Sequence, residues 1–269
     1  MGTRIACCLL LALIWGFSAV SVLAKPVDIY FADVGDGNAT LLHQPGKCAM
    51  LVDAGPRKYG DEIAHLLKER GIETLDFVVI THPHKQLYGG LEVLFDSMKI
   101  LELSDNGDMN ESEDGYRKYS ELQFHLPYSV LARGDSWKCG DMRIKVVHPS
   151  VAFAGGGDYT SRALALLVEF NDFRFLLFGD VSANGEERML RSRQDLNSMV
   201  LQFGAGEENR ISQTLLERVQ PKVVIISGAR PGRELVDQLL SHKIRTFATA
   251  EEGVIRMRVA ENGNIRLQP

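Results

Sequence analysis

The chain has 269 residues, of which 45% are hydrophobic and 24% charged, and its 30 basic and 35 acidic residues give a net charge of −5. These proportions are ordinary for a globular protein and exclude the disordered, collagen-like and coiled-coil classes. The acidic balance argues against a protein that holds nucleic acid by bulk charge, because phosphate binding needs a clustered basic surface.

The N-terminus has the pattern of a secretory signal peptide. Arg4 precedes an apolar run over residues 5–17, and Ala24 ends a V-x-A cleavage pattern. The alternative is a membrane anchor, but the run falls short of the roughly 20 apolar residues that a bilayer core needs. We therefore expect cleavage after Ala24, export to the periplasm or the extracellular space, and a mature domain over residues 25–269 without a membrane span.

Two cysteines, Cys48 and Cys139, remain in the chain after such a cleavage. An oxidising compartment permits one disulfide between them. The bond requires their Cα atoms to approach within about 4.4–6.8 Å. Two buried free thiols are the alternative, and the sequence leaves this choice open.

The hydrophobic pattern predicts a β-meander first and then an alternation of strands with helices. The predicted strands cover residues 27–31, 39–43, 49–52, 77–80, 143–147, 163–170, 173–178, 199–203, 223–226, 254–259 and 265–267. The predicted helices cover residues 63–70, 90–98, 185–191, 211–218 and 233–241. This order suits a single α/β domain with two packed sheets and helices outside them.

Residues 104–115 are acidic and rich in turn-forming residues. A calcium loop is one interpretation, but Gly107 falls where an EF-hand needs a ligand, and no glycine follows at the sharp turn. We therefore expect a solvated loop.

Four side chains at predicted strand ends form the candidate site. His82 and His84 follow one apolar strand, His148 ends a second, and Asp180 follows a third. Two histidines separated by one residue in extended backbone project to the same side. Imidazole suits zinc and other first-row metals, and strand ends are where sites form in α/β folds. The pattern therefore predicts a metal site.

Five segments of the chain resemble the metallo-β-lactamase fold, and most of all the extracytoplasmic domain of ComEC-type competence proteins. The segments cover residues 33–39, 51–55, 81–90, 147–149 and 175–180. The resemblance implies a four-layer αββα sandwich over residues 25–269. It also implies a metal-dependent hydrolase whose partner is a nucleic acid or another phosphodiester substrate.

The resemblance assigns the first metal of the family to His82, His84 and His148, and the bridging position between two metals to Asp180. A single zinc ion on three histidines lowers the pKa of its bound water to roughly 7. Asp180 then either orients that water, as a catalytic residue, or occupies the fourth coordination position and closes the site. At most one zinc ion is expected.

The ligands of the second metal are missing. In the family signature H-x-H-x-D-H, the acidic position is Gln86 and the last histidine position is Leu87. Gly204 and Ala205 stand where the family has a later histidine pair, and Asn38 stands where the ComEC-type pattern has aspartate. Leucine has no donor atom, and the neutral carbonyl of glutamine is a poor substitute for a carboxylate.

Two functions of different classes follow from this partial site. The first is an exported hydrolase that acts on phosphodiesters with one metal. The second is a catalytically inactive relative that keeps the fold as a ligand-binding or partner-binding domain. The sequence indicates no oligomeric state.

Overall fold

A computed structural model of the chain describes residues 25–151, 158–205 and 211–268. The predicted signal peptide lies outside these ranges. Within them, no helix combines the length and the apolar character that crossing a membrane requires.

The described residues form strands and helices whose bounds are as follows. The strands are β1 (Val27–Phe31), β2 (Thr40–Gln44), β3 (Cys48–Val52), β4 (Thr74–Leu75), β5 (Phe77–Val79), β6 (Lys99–Ile100), β7 (Leu103–Asp105), β8 (Tyr128–Val130), β9 (Ser136–Cys139), β10 (Met142–His148), β11 (Ala165–Phe170), β12 (Phe173–Gly179), β13 (Val200–Ala205), β14 (Val223–Gly228), β15 (Arg245–Ala248), β16 (Ile255–Val259) and β17 (Ile265–Gln268). The α-helices are α1 (Gly60–Lys68), α2 (Lys85–Tyr88), α3 (Leu91–Ser97), α4 (Tyr116–His125), α5 (Ala183–Arg191), α6 (Gln213–Val219), α7 (Arg233–Ser241) and α8 (Thr249–Glu252). Short 3₁₀ turns cover Arg57–Tyr59 and Thr160–Arg162.

The strands form two large mixed sheets. The first has the order β17-β16-β1-β2-β3-β5-β7-β8, and the second has the order β15-β14-β13-β12-β11-β10-β9. The predicted opening meander is confirmed, because β1, β2 and β3 are antiparallel neighbours. β4 and β6 pair separately as a two-stranded sheet.

The two sheets pack face to face, because alternate residues of a strand point to opposite faces. In β1, Ile29 and Phe31 face the space between the sheets, whereas Tyr30 faces the outer layer. In β12, Phe175 also faces the centre, and its ring meets that of Phe31 edge to face, with centroids 5.7 Å apart. Such strands are buried on both faces, as their continuous apolar runs predict.

Helices cover the outer face of each sheet. The apolar sides of α1, α2, α3 and α4 pack on the first sheet, and those of α5, α6 and α7 pack on the second. The predicted four-layer αββα sandwich is therefore confirmed.

The prediction of a solvated loop over residues 104–115 is wrong for its first half. Asp105, Asn106, Asp108 and Asn110 are buried. The guanidinium of Arg162 donates to the Asp108 carboxylate over 2.8 Å. A polar composition favoured solvent exposure, but partners that lie far away in the sequence satisfy these side chains inside the protein.

Cys48 and Cys139 form a disulfide, with their Cα atoms 5.3 Å apart. Cys48 begins β3 in the first sheet, and Cys139 ends β9 at the edge of the second sheet. The bond therefore connects the two sheets and closes a long loop, since the two residues are separated by 91 positions.

The substitution Cys139→Ala should lower the free energy of unfolding by about 2–4 kcal/mol, because the unfolded chain regains the conformational entropy that the closed loop removes. Urea denaturation checks this value. The double variant Cys48→Ala/Cys139→Ala should match wild-type protein treated with dithiothreitol to within about 1 kcal/mol. Equal stability of oxidised wild type and the double variant would contradict the prediction.

Candidate functional site

The candidate site lies where the ends of the two sheets meet. Thr81 follows β5 of the first sheet, and its carbonyl accepts a hydrogen bond of 2.8 Å from the backbone of Leu164, which precedes β11 of the second. The buried carboxylate of Asp53 accepts bonds from the N–H of Thr81 at 2.8 Å and from its hydroxyl at 3.0 Å. These bonds fix the start of the turn that carries His82 and His84.

The two histidines of this turn project to the same side, as their spacing predicts. Their ring centroids are 6.0 Å apart, and the rings are inclined by 24°. His82 is buried, whereas His84 is partly exposed and its Nε2 lies 3.4 Å from the carboxylate of Glu113. Burial, with a smaller contribution from His84, lowers the pKa of His82 to about 3, so its imidazole is neutral at physiological pH.

Asp180 follows β12 and belongs to a chain of hydrogen bonds made by side-chain amides. The side-chain amide of Asn38 donates to its carboxylate over 2.9 Å. The side-chain nitrogen of Gln202 lies 3.5 Å from the side-chain oxygen of Asn38. The side-chain oxygen of Gln202 accepts a hydrogen bond of 3.0 Å from the N–H of Gly179. Burial raises the pKa of Asp180, and the bond from Asn38 opposes this rise.

His82, His84 and Asp180 line one cavity of about 790 Å³, together with Gln86. The other lining residues are Asp36, Gly37, Asn38, Thr160, Val181, Ser182, Ala183, Glu186, Phe203, Gly204, Ile211, Ser212, Ser227, Gly228 and Ala229. The structure thus brings together three of the four side chains that the sequence selects.

His148 does not line this cavity. Its ring is buried, and Nε2 lies 2.9 Å from the backbone carbonyl of Ser161. Because a carbonyl only accepts, this nitrogen carries the proton. Burial is the main cause of the lowered pKa of His148, so the ring is a neutral donor at this position. Thr160, one residue before Ser161, lines the cavity instead.

The side chains do not form a set that fits a metal ion. Across residues 25–151, 158–205 and 211–268, no three His, Cys, Asp or Glu side chains are grouped so as to hold one. His82 by itself fits a ligand role, because its ring is neutral and its buried Nδ1 has no hydrogen-bond partner. The metal roles of His82, His84, His148 and Asp180 stay predictions.

The positions of the missing second metal also differ in their surroundings. Gln86 lines the cavity, whereas the side chain of Leu87 is fully buried under the outer helices. A Cβ atom at Gly204 would collide with the carboxylate of Asp180. Gly204 therefore cannot carry a histidine while Asp180 keeps its position.

Several cavity residues have only a weak signal in the sequence. Ser182 and Ser212 each stand immediately before a helix, a position that serine often occupies as an N-cap. Ser212 does cap α6 through its hydroxyl and also bonds to Glu186. The hydroxyl of Ser182 makes no cap bond and is buried without a hydrogen-bond partner, while the residue itself lines the cavity.

This chain belongs to the metallo-β-lactamase superfamily, whose family model matches residues 32–228. A curated relative is ComE operon protein 3 of Bacillus subtilis (strain 168), which is 23% identical over 279 residues. The match covers 94% of this chain and 35% of that protein, so the chain spans about a third of the length of this relative.

Solved structures of the same fold include CmlA, a diiron β-hydroxylase from Streptomyces venezuelae, with a TM-score of 0.52 and 12% identity. The match covers 88% of this chain and 54% of CmlA. The E377D mutant of the CmlA β-hydroxylase gives a TM-score of 0.57, also at 12% identity, over 87% of this chain and 54% of that one. At this level of identity the likeness concerns the fold alone.

Burial raises the pKa of Asp53 well above its usual range, and the bonds from Thr81 oppose this rise. The folded protein then binds more protons than the unfolded chain above about pH 4, so the contribution of Asp53 to stability falls as the pH rises. Asp53→Asn keeps an acceptor for the N–H of Thr81 and removes the titrating group. Urea unfolding from pH 4 to pH 8 should show the variant gaining stability relative to wild type. A difference that is constant with pH would contradict the raised pKa.

Proposed function

We propose that this chain is an exported binding protein with a hydrolase fold. It accommodates a phosphodiester or nucleic-acid-like ligand in the cavity beside His82 and Asp180. It does not hydrolyse this ligand by two-metal chemistry. The observation that carries the proposal is the nature of positions 86, 87 and 204. Gln86 is neutral, Leu87 is buried, and Gly204 has no space for a side chain. A two-metal site must clamp both the attacking and the leaving oxygen of a displacement, and these positions provide no ligands for it.

The cavity offers two neutral polar groups to a ligand, beside the carboxyl groups of Asp36, Asp180 and Glu186, which also line it. The hydroxyl of Ser182 and the Nδ1 atom of His82 are buried without hydrogen-bond partners, and both residues line the cavity. A buried polar group without a partner costs free energy, so a ligand that supplies the partner gains affinity. Ser182 also stands at the N-terminus of α5, where the helix dipole favours an anion. Phosphate oxygens meet these requirements.

Export is part of the proposal and has two supports. The first 24 residues carry the signal-peptide pattern. The Cys48–Cys139 disulfide suits an oxidising compartment, since disulfides are rare in cytosolic proteins.

One observation favours hydrolysis with a single metal as a second candidate function. His82, His84 and Asp180 share the cavity, and the Nδ1 atom of neutral His82 is free to coordinate. Against this candidate, the Nε2 atom of His148 is held by the carbonyl of Ser161.

Turnover separates these two functions, and metal content tests the loss of the second site, which both of them assume. After dialysis against zinc-containing and then metal-free buffer, elemental analysis should find at most one transition metal per chain. Two tightly bound equivalents would contradict the loss of the second site. Hydrolysis of bis(4-nitrophenyl) phosphate should not exceed that of Asp180→Asn, with zinc or manganese added. Turnover that Asp180→Asn abolishes would establish the second candidate in place of the first.

Removing a single hydroxyl tests the binding function directly. Ser182→Ala should weaken the binding of a thymidine dinucleotide by about 2–13-fold, because one hydrogen bond contributes about 0.5–1.5 kcal/mol. Isothermal titration calorimetry measures the change. The matched control Ser97→Ala lies on α3, away from the cavity, and should bind as wild type does. Equal affinities of Ser182→Ala and wild type would contradict the placement of the ligand.

A further inference from the structure

A second, open cavity of about 640 Å³ lies beside α5, and four arginines line it. They are Arg133, Arg188, Arg191 and Arg193, and all four side chains are exposed. The remaining lining residues, Ser150, Ser192 and Gln194, are neutral. We call this feature the arginine pocket. It is a local concentration of positive charge on a protein whose net charge is −5.

Few acidic groups compensate the arginine pocket. Arg191 pairs with Glu187 on the same helix at 2.6 Å. Among the described residues, no carboxylate lies within 4.0 Å of the guanidinium groups of Arg133, Arg188 or Arg193. Like charges that stand together without counter-charges favour an anion between them.

The backbone of the arginine pocket is fixed by a fifth arginine. Arg218 of α6 donates to the carbonyl of Gln194 at 2.7 Å, to that of Leu190 at 3.2 Å and to that of Ser192 at 3.4 Å. The side chain of Gln194 donates to the carbonyl of Val147 at 3.0 Å. The segment that carries two of the pocket arginines is therefore held in place before any ligand arrives, which lowers the ordering cost of binding.

Helix α5 connects the arginine pocket with the cavity of the candidate site. Ser182 and Glu186 at the start of the helix line the first cavity, and Arg188 and Arg191 at its end line the second. A rise of 1.5 Å per residue places the two helix ends about 13 Å apart. At about 3.4 Å per nucleotide along a duplex strand, this distance corresponds to roughly four nucleotides. A single phosphodiester cannot reach both places, whereas a polymer can.

We propose that the arginine pocket binds phosphate groups of a linear phosphodiester polymer whose neighbouring segment occupies the cavity of the candidate site. The planar fork of a guanidinium matches two oxygens of a phosphate, which makes arginine the suitable cation here. The inference rests on the proposed function in one respect, namely that the ligand of the first cavity contains phosphodiester bonds. It adds that the ligand is polymeric and identifies where its flank is held.

Charge reversal at two pocket arginines tests the inference. Arg188→Glu/Arg193→Glu should weaken the binding of a fluorescent 12-nucleotide oligothymidylate at least tenfold in fluorescence anisotropy. The slope of log K against log salt should fall in magnitude by about 1.4, since each phosphate contact in a single strand contributes about 0.7. The control Arg143→Glu/Arg266→Glu changes two exposed arginines outside the pocket and alters the net charge equally. Its affinity should stay within twofold of wild type.

Further ligands distinguish failure of this inference from failure of the proposed function. A thymidine dinucleotide should bind the pocket variant as it binds wild type, because it fills only the first cavity. Oligothymidylate binding that both charge-reversal variants retain would overturn the arginine pocket and leave the proposed function intact. Oligothymidylate binding that depends on the pocket, without any dinucleotide binding, would uphold the pocket and contradict the proposed function.

Two results would overturn the inference outright. One is the absence of oligothymidylate binding by wild type at 20 mM salt. The other is pocket-dependent binding to phosphatidylglycerol vesicles without binding to oligothymidylate, which would assign the pocket to a lipid surface. Arg188→Gln/Arg193→Gln, which removes charge without reversing it, should show a smaller loss of oligothymidylate affinity in the same direction. Circular dichroism and thermal unfolding confirm that each variant is folded.

Discussion

A carboxylate that is taken out of water must be paired or protonated, and the candidate site is arranged around this requirement. Asp180 meets it through a hydrogen bond from the amide of Asn38, whose side-chain oxygen lies 3.5 Å from the amide nitrogen of Gln202. An aspartate at position 38 would place a second negative charge beside Asp180. Bound cations could neutralise this pair of charges, but only if other side chains served as their ligands. The neutral side chain at position 38 and the missing donors at positions 86 and 87 are therefore physically consistent with each other.

Much of the fold could be predicted from the sequence, because buried elements leave strong patterns. The apolar runs of β5 and β12 are buried on both faces as expected, and the predicted strand and helix positions agree with the structure within a few residues. Three of the strands that the pattern missed, β8, β9 and β15, lie at sheet edges, whereas the missed β7 is an internal strand of only three residues. Edge strands are short and carry polar residues, so their alternation is weak. Helix α4 was missed for a related reason, since only Tyr116 and Tyr119 of its ten residues are buried.

The candidate site could be predicted only in part, because a strand end indicates where a residue lies but not which way its side chain turns. The spacing of His82 and His84 sufficed to place both rings on one side, and Asp180 joins them at the same cavity. His148 occupies an equally suggestive strand end, yet the carbonyl of Ser161 holds its ring elsewhere. That partner is a backbone atom, and the side-chain pattern carries no trace of it.

The pairing of the first strand with the last hairpin has a consequence for how this protein folds. β1 lies between β2 and β16, and Val27 is the partner of Val259. The first sheet therefore cannot be completed until residues 255–268 have been synthesised. Contacts between such distant residues must overcome a large loop-closure entropy, which slows folding. Until then the edge of β1 that faces away from β2 stays unpaired, so this topology delays completion of the first sheet until the β16–β17 hairpin is available.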